Sequence, residues 1–131
     1  MSDTDESPSG ELALRTLAMP ADTNPSGDIF GGWLLSQMDI AGGLVAKRRA
    51  GSRVATVGVE SMTFHLPVFV GDVVCCYAEL IRTGRTSMTI RVQAWAIRDA
   101  FQSARVKVTE GMFTYVSIDD DRRPRAIPTE V

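Results

Sequence analysis

The chain has 131 residues, 44% of them hydrophobic and 23% charged, ordinary values for one soluble domain whose core needs no metal or disulfide staple. Its net charge of -2 comes without any basic block, which argues against nucleic acid as a partner, and no apolar run approaches the roughly 20 residues of a bilayer span. One histidine, His65, and two adjacent cysteines, Cys75 and Cys76, give no cluster from which to expect a metal site, and any Ser-His-Asp or Cys-His relay would have to run through His65.

The first ten residues, MSDTDESPSG, are acidic and polar and lack the apolar segment of a secretory signal, so they read as a disordered tail on a cytoplasmic protein. Residues 11–128 then make a single domain. ELALRTLAM suggests a first strand, and PADTNPSGD, dense in Pro, Asn and Gly, is loop. A helix is expected from about Gly31 to Lys47. Four strand-like stretches follow at 53–66, 72–82, 86–98 and 104–118, rich in Val, Ile, Thr and aromatic residues. PVFVGD is a turn, TGRT a tight hairpin and RDAFQS a looser connection; the tail, DDDRRPRAIPTEV, is charged and broken by proline. As neighbours on a strand, Cys75 and Cys76 point to opposite faces, cannot bridge each other, and read as small hydrophobes. One helix with about five antiparallel strands is an α+β domain in which the sheet curls around the helix to cover its apolar face.

At about 100° per residue, Leu34, Met38, Ala41 and Val45 form one stripe of that helix, with Trp33, Ile40 and Leu44 on its flank. The remaining sector carries Ser36, Asp39, Gly43 and Lys47. Asp39 is either part of a solvated polar strip or a carboxylate that does chemistry. Gly42 and Gly43 each cost about 1 kcal/mol relative to Ala inside a helix and mark close approach by another backbone or a ligand, and the sector with Asp39 is bare enough for a ligand or neighbouring subunit to lie against it. Upstream, GDIFGG opens the helix, and the N–H groups of a first turn suit a carbonyl oxygen that is becoming an oxyanion. Asp39 lies roughly 10 Å further along the axis.

ADTNPSGDIFGGWLLSQMD, VESMTFHLPVFVGDVV and RTGRTSMTI resemble the hot-dog-fold acyl-CoA thioesterases of the YciA type, and the resemblance runs from about Leu12 to Pro128. It implies a curved antiparallel sheet wrapped around a long central helix. It also implies a homo-oligomer, with protomers paired edge to edge and dimers gathered into trimers of dimers. The implied substrate is acyl-CoA, cleaved to CoA and a carboxylic acid, with no separate cofactor. By position, the catalytic carboxylate falls on Asp39, the loop asparagine on Asn24 and the oxyanion-side glycines on Gly31 and Gly32; Asn24 and Asp39 are expected from different protomers. Gly84, Arg85, Thr86 and Ser87 match the stretch beside the pantetheine arm, and Arg82, Arg85 and Arg125 are candidates for the nucleotide phosphates. The segment TFHLPV departs from the family pattern in carrying His65, and no catalytic position is lost.

A thioester carbonyl is weakly resonance-stabilised and its thiolate leaves well, so hydrolysis needs only a polarised carbonyl and a delivered nucleophile. Asp39 would act as general base on water or attack directly to form a mixed anhydride, with Asn24 holding the water or the substrate. The alternative is a non-catalytic acyl-CoA sensor on the same fold. Regulatory versions carry an extra domain for which this chain has no room, and they need no carboxylate at the helix position. A dehydratase would want a histidine base within its motif, and His65 lies outside one. Glu60 reads as a strand or subunit contact, His65 as a strand-end residue bonded to backbone or water, and Trp33 and Trp95 as packing. Each methylene of an acyl chain is worth only about 1 kcal/mol, so broad chain-length tolerance is expected.

Overall fold

The structure, a computed structural model, describes residues 6–98 and 104–129. Strand β1 (Glu11–Leu17) is followed by a 3-10 turn at Pro20–Asp22, helix α1 (Gly31–Ala50), and strands β2 (Arg53–Phe64), β3 (Val73–Thr83), β4 (Ser87–Ile97) and β5 (Arg105–Ile118). All strand pairs are antiparallel, in the order β1-β3-β4-β5-β2, so the two strands that flank α1 in sequence become the two edges of the sheet.

The alternation in β4, SMTIRVQAWAI, shows how sheet and helix meet. Met88, Ile90, Val92 and Ala94 are fully buried in one core with Val74, Cys76 and Ala78 of β3 and with Phe113 and Tyr115 of β5. Against them α1 sets Leu34, Met38, Ala41, Val45, Ala46 and Ala50. Burying a large aliphatic or aromatic side chain is worth about 1.5–3 kcal/mol, and this row of facing positions is what bends the sheet around the helix. Cys75 and Cys76 are both free and buried, on opposite faces: Cys76 joins the core, whereas Cys75 packs with Tyr77 and Trp95 in a separate cluster.

Two expectations change. The helix runs to Ala50 rather than Lys47, because Arg48 and Arg49 in its last turn suit the negative end of the helix dipole and Ala50 is buried. Gly51 stops it in the left-handed region, φ 66°, with its N–H on the Lys47 carbonyl at 2.9 Å. The flank assigned to Ile40 and Leu44 is not wrapped: each is 50% exposed, because a single five-stranded sheet reaches one side of a helix only. With Val57 and Val59 of edge strand β2, also exposed, these residues leave apolar surface uncovered in the protomer. Of the expected N-terminal tail, residues 1–5 lie outside the described residues. Glu6 pairs with the Lys107 ammonium at 2.7 Å, and the Ser9 N–H donates to the Gln93 side chain at 3.0 Å. Most of the expected loop at 98–103 also lies outside them.

The PVFVGD turn is built around a buried acid. Asp72 accepts from the Phe69 N–H at 2.9 Å and from the Arg98 guanidinium at 3.2 Å. Arg98 also lies 4.6 Å over the Phe69 ring and donates to the Pro67 carbonyl at 2.8 Å. A buried carboxylate needs such partners, and the arrangement fixes Pro67 and Val68 beside the start of α1, where the Ile29 N–H donates to the Val68 carbonyl at 3.1 Å. Among the described residues no helix is long and apolar enough to cross a membrane.

Candidate active site

The segment NPSGD before α1 is a loop closed on itself. The side-chain oxygen of Asn24 accepts from the N–H groups of Ser26 at 2.9 Å and Asp28 at 3.1 Å, and its own N–H donates to the Asp28 carbonyl at 2.7 Å. Gly27 makes the turn with φ 90°, a conformation that favours glycine. With the amide oxygen of Asn24 occupied by the turn, its NH2 has no partner among the described residues. No side chain caps α1, so the first-turn N–H groups keep their donor capacity. A cleft of about 360 Å³ opens here, and Asn24, Gly31, Phe64, His65 and Pro67 are among its walls. Gly31 thus shares this cleft with Asn24. Gly32 does not line this cleft and faces open space.

Asp39 lies two turns on, half-buried, and is held from two strands. Thr56 Oγ1 of β2 donates to its Oδ1 at 2.7 Å. The Tyr115 hydroxyl of β5 reaches the same Oδ1 at 3.1 Å and the Asp39 backbone carbonyl at 2.9 Å. Register brings these donors together: Tyr115 pairs across the ladder with Thr56 on one side and with Met88 on the other. Burial, with the neighbouring Asp39 charge and its hydrogen bond behind it, pushes the Tyr115 hydroxyl far above the usual phenol range, so it remains a donor at any working pH. The second oxygen of Asp39, Oδ2, accepts no hydrogen bond among the described residues.

This geometry corrects the reading of the two helix glycines. The close approach at Gly42 is made by a side chain, that of Tyr115: a Cβ on Gly42 would collide with its hydroxyl. Gly43 has ordinary room. Thr56 and Tyr115 escaped the sequence reading, and Gly42 was the one sign in the chain that something passes close to the helix beside Asp39.

The GRTS segment forms the β3–β4 connection. Its carbonyls hold the end of the chain: Thr86 accepts from the Ser117 N–H at 2.8 Å and Arg85 from the Ile127 N–H at 2.9 Å. The Arg125 N–H returns to the Ser117 carbonyl at 2.8 Å, so Arg85 and Arg125 are carried on adjoining backbone. Gly84 donates to the Ser87 carbonyl at 2.8 Å, and Arg82, on β3, reaches Thr89 Oγ1 at 3.3 Å. Because Ser87 pairs with Val116 next to Tyr115, this segment lies toward the Asp39 side of the sheet. The protomer thus brings Asn24 and Gly31 together, gathers Asp39, Thr56 and Tyr115 elsewhere, and separates the two groups by about 12 Å along α1.

A family profile described as the Thioesterase superfamily matches residues 26–100. The acyl-CoA thioester hydrolase YciA of Escherichia coli (strain K12) is 55% identical over 99% of this chain and 100% of its own. The hexameric thioesterase y2039 from Yersinia pestis superposes with a TM-score of 0.88 at 57% identity, covering 95% of this chain and 100% of that one. A hexameric hotdog fold thioesterase of Campylobacter jejuni gives 0.86 at 40% identity over 91% of each chain. With its helix wrapped by a five-stranded antiparallel sheet and its full-length likeness to these enzymes, the chain belongs to the YciA family of hot-dog-fold acyl-CoA thioester hydrolases.

Proposed function

We propose that the protein hydrolyses acyl-CoA thioesters at sites shared between two protomers, with Asp39 of one facing Asn24 and Gly31 of the other. The observation that carries this reading is the separation of the two halves: about 12 Å along the helix is beyond what a single acyl carbonyl can bridge. Pairing of β2 edges, running in opposite directions in the two copies, sets the helix start of one beside the middle of the other. It also covers Val57 and Val59, and the hexameric relatives are the precedent for a larger assembly, for which a trimer of dimers is our proposal.

In this reading the Gly31 N–H and the Asn24 amide hydrogens polarise the thioester carbonyl. The unpartnered oxygen of Asp39 takes a proton from water, whose oxygen attacks the carbonyl carbon, or it attacks that carbon itself to give an anhydride that water then opens. Either way the carbon–sulfur bond breaks, and the thiolate leaves and picks up a proton. Gly84 to Ser87 would lie along the pantetheine arm, and Arg82, Arg85 and Arg125 would meet the nucleotide phosphates. A thioester is activated enough to need no metal, and a chain with one histidine and two back-to-back cysteines has few ligands to offer one. The reaction would take place in the cytoplasm, where acyl-CoA is found. The test is release of free CoA from acetyl- to palmitoyl-CoA, with and without chelator. Release across several chain lengths, unchanged by chelator and lost in Asp39→Asn, is expected; no release at any length, or activity restored only by zinc, overturns the reading.

A further inference from the structure

We propose that Tyr115 is a positioning residue for the hydrolysis: its hydroxyl, admitted by the missing side chain of Gly42, clamps Asp39 by Oδ1 and by its backbone carbonyl, leaving Oδ2 as the oxygen that meets water or the acyl carbon. The inference rests on the catalytic reading of Asp39 and deepens it.

Packing does not require the hydroxyl. Tyr115 is 1% exposed in an apolar core, where a phenylalanine would fill the same volume without a polar atom to satisfy. The hydroxyl is tolerated because Asp39 accepts from it, at 2.9 Å through the carbonyl and 3.1 Å through the carboxylate. Helix α1 carries a glycine to make room for it, although glycine inside a helix is destabilising.

The two donors on Oδ1 do different work. Thr56 stands on the edge strand β2, whereas Tyr115 stands on β5, paired on both sides within the sheet. Tyr115 shares its one hydroxyl hydrogen between the carbonyl and Oδ1 of the same residue and, with Thr56 on that oxygen, orients the side chain relative to its own helix. Lone pairs engaged by donors are poorer at taking a proton or attacking carbon. Oδ1 is therefore spent on orientation, and Oδ2 keeps its basicity for the reaction.

The experiment is a double-mutant cycle on the full-length enzyme with acyl-CoA substrate. Tyr115→Phe is expected to lower kcat about tenfold with KM changed by less than about twofold. In an Asp39→Asn background the same substitution is expected to cost less than about twofold, since there is no charged carboxylate left to orient. Unchanged kcat in Tyr115→Phe, with Asp39→Asn inactive, overturns this inference alone. An equal factor in both backgrounds also overturns it, because a purely structural role would cost both alike. Wild-type turnover in Asp39→Asn overturns the catalytic reading and the clamp with it. Should Tyr115→Phe fail to assemble, Gly42→Ala carries the test: it keeps the phenol but drives the hydroxyl off Asp39. A like loss of kcat at constant KM is expected there, and unchanged kcat overturns the proposal.

Discussion

At the start of α1 the chain leaves donors open: no side chain caps the helix, and Asn24 has spent its oxygen on the loop and kept its NH2. Two turns on, around Asp39, the situation is reversed, and one carboxylate oxygen is fixed by Thr56 and Tyr115. The first region offers loosely committed hydrogens. The second holds one carboxylate oxygen in place with two donors. In the proposed reaction this contrast gives electrophilic work to one end of the helix and nucleophilic work to its middle.

The sharpest way to break this contrast is Asp39→Asn, which keeps the shape but removes charge and basicity. Turnover should fall about a hundredfold or more, the size associated with a lost general base, and steady-state kinetics will show it in kcat. At the other region, Asn24→Ala should cost about tenfold in kcat/KM by removing a positioning group. Asn24→Asp sharpens the point, since an aspartate still accepts from Ser26 and Asp28 and so preserves the loop, but has no hydrogen to donate; it should be as slow as Asn24→Ala while melting like wild type. Mixing the Asp39→Asn and Asn24→Ala proteins tests whether the regions meet across protomers. After subunit exchange, half the dimers are mixed with one intact site of two, so activity should return to about a quarter of wild type. Sites complete within one protomer would give no recovery.

The smallest effect concerns the thiols. Burial, with the adjacent Cys75 adding to it, pushes the Cys76 thiol up to about 12, so at neutral pH it is protonated and unreactive. An aromatic disulfide reagent should therefore leave activity unchanged and titrate no native protein thiol, while both cysteines should react once the chain is unfolded in guanidinium. A free-CoA assay based on that reagent would then report CoA alone.

Much of the fold was legible because local patterns and tertiary packing agree. The Val, Ile and Thr runs lie close to where β2 to β5 form, and the Leu34, Met38, Ala41, Val45 stripe is the face that is buried. Ile40 and Leu44 misled because an apolar residue on a helix says that something covers it, not whether the cover is the same chain. Among the candidate site residues, the loop around Asn24 announced itself through proline and glycine. Thr56 and Tyr115 could not be found that way, since what joins them is a ladder register between strands far apart in sequence, interrupted by shifts at Thr56/Gly58 and Glu60/Thr63. A threonine on a strand has no periodicity to mark it, and only Gly42, a helix residue smaller than packing alone would choose, left a trace.

The apolar surface exposed at Ile40, Leu44, Val57 and Val59 has a consequence for how the protein's heat resistance should be measured. If a second copy covers it, one folded particle melts into two or more separate chains, and mass action enters the transition. The melting midpoint should then climb as the sample is concentrated and slide downward on dilution, so two laboratories working at different concentrations would obtain different values from identical protein.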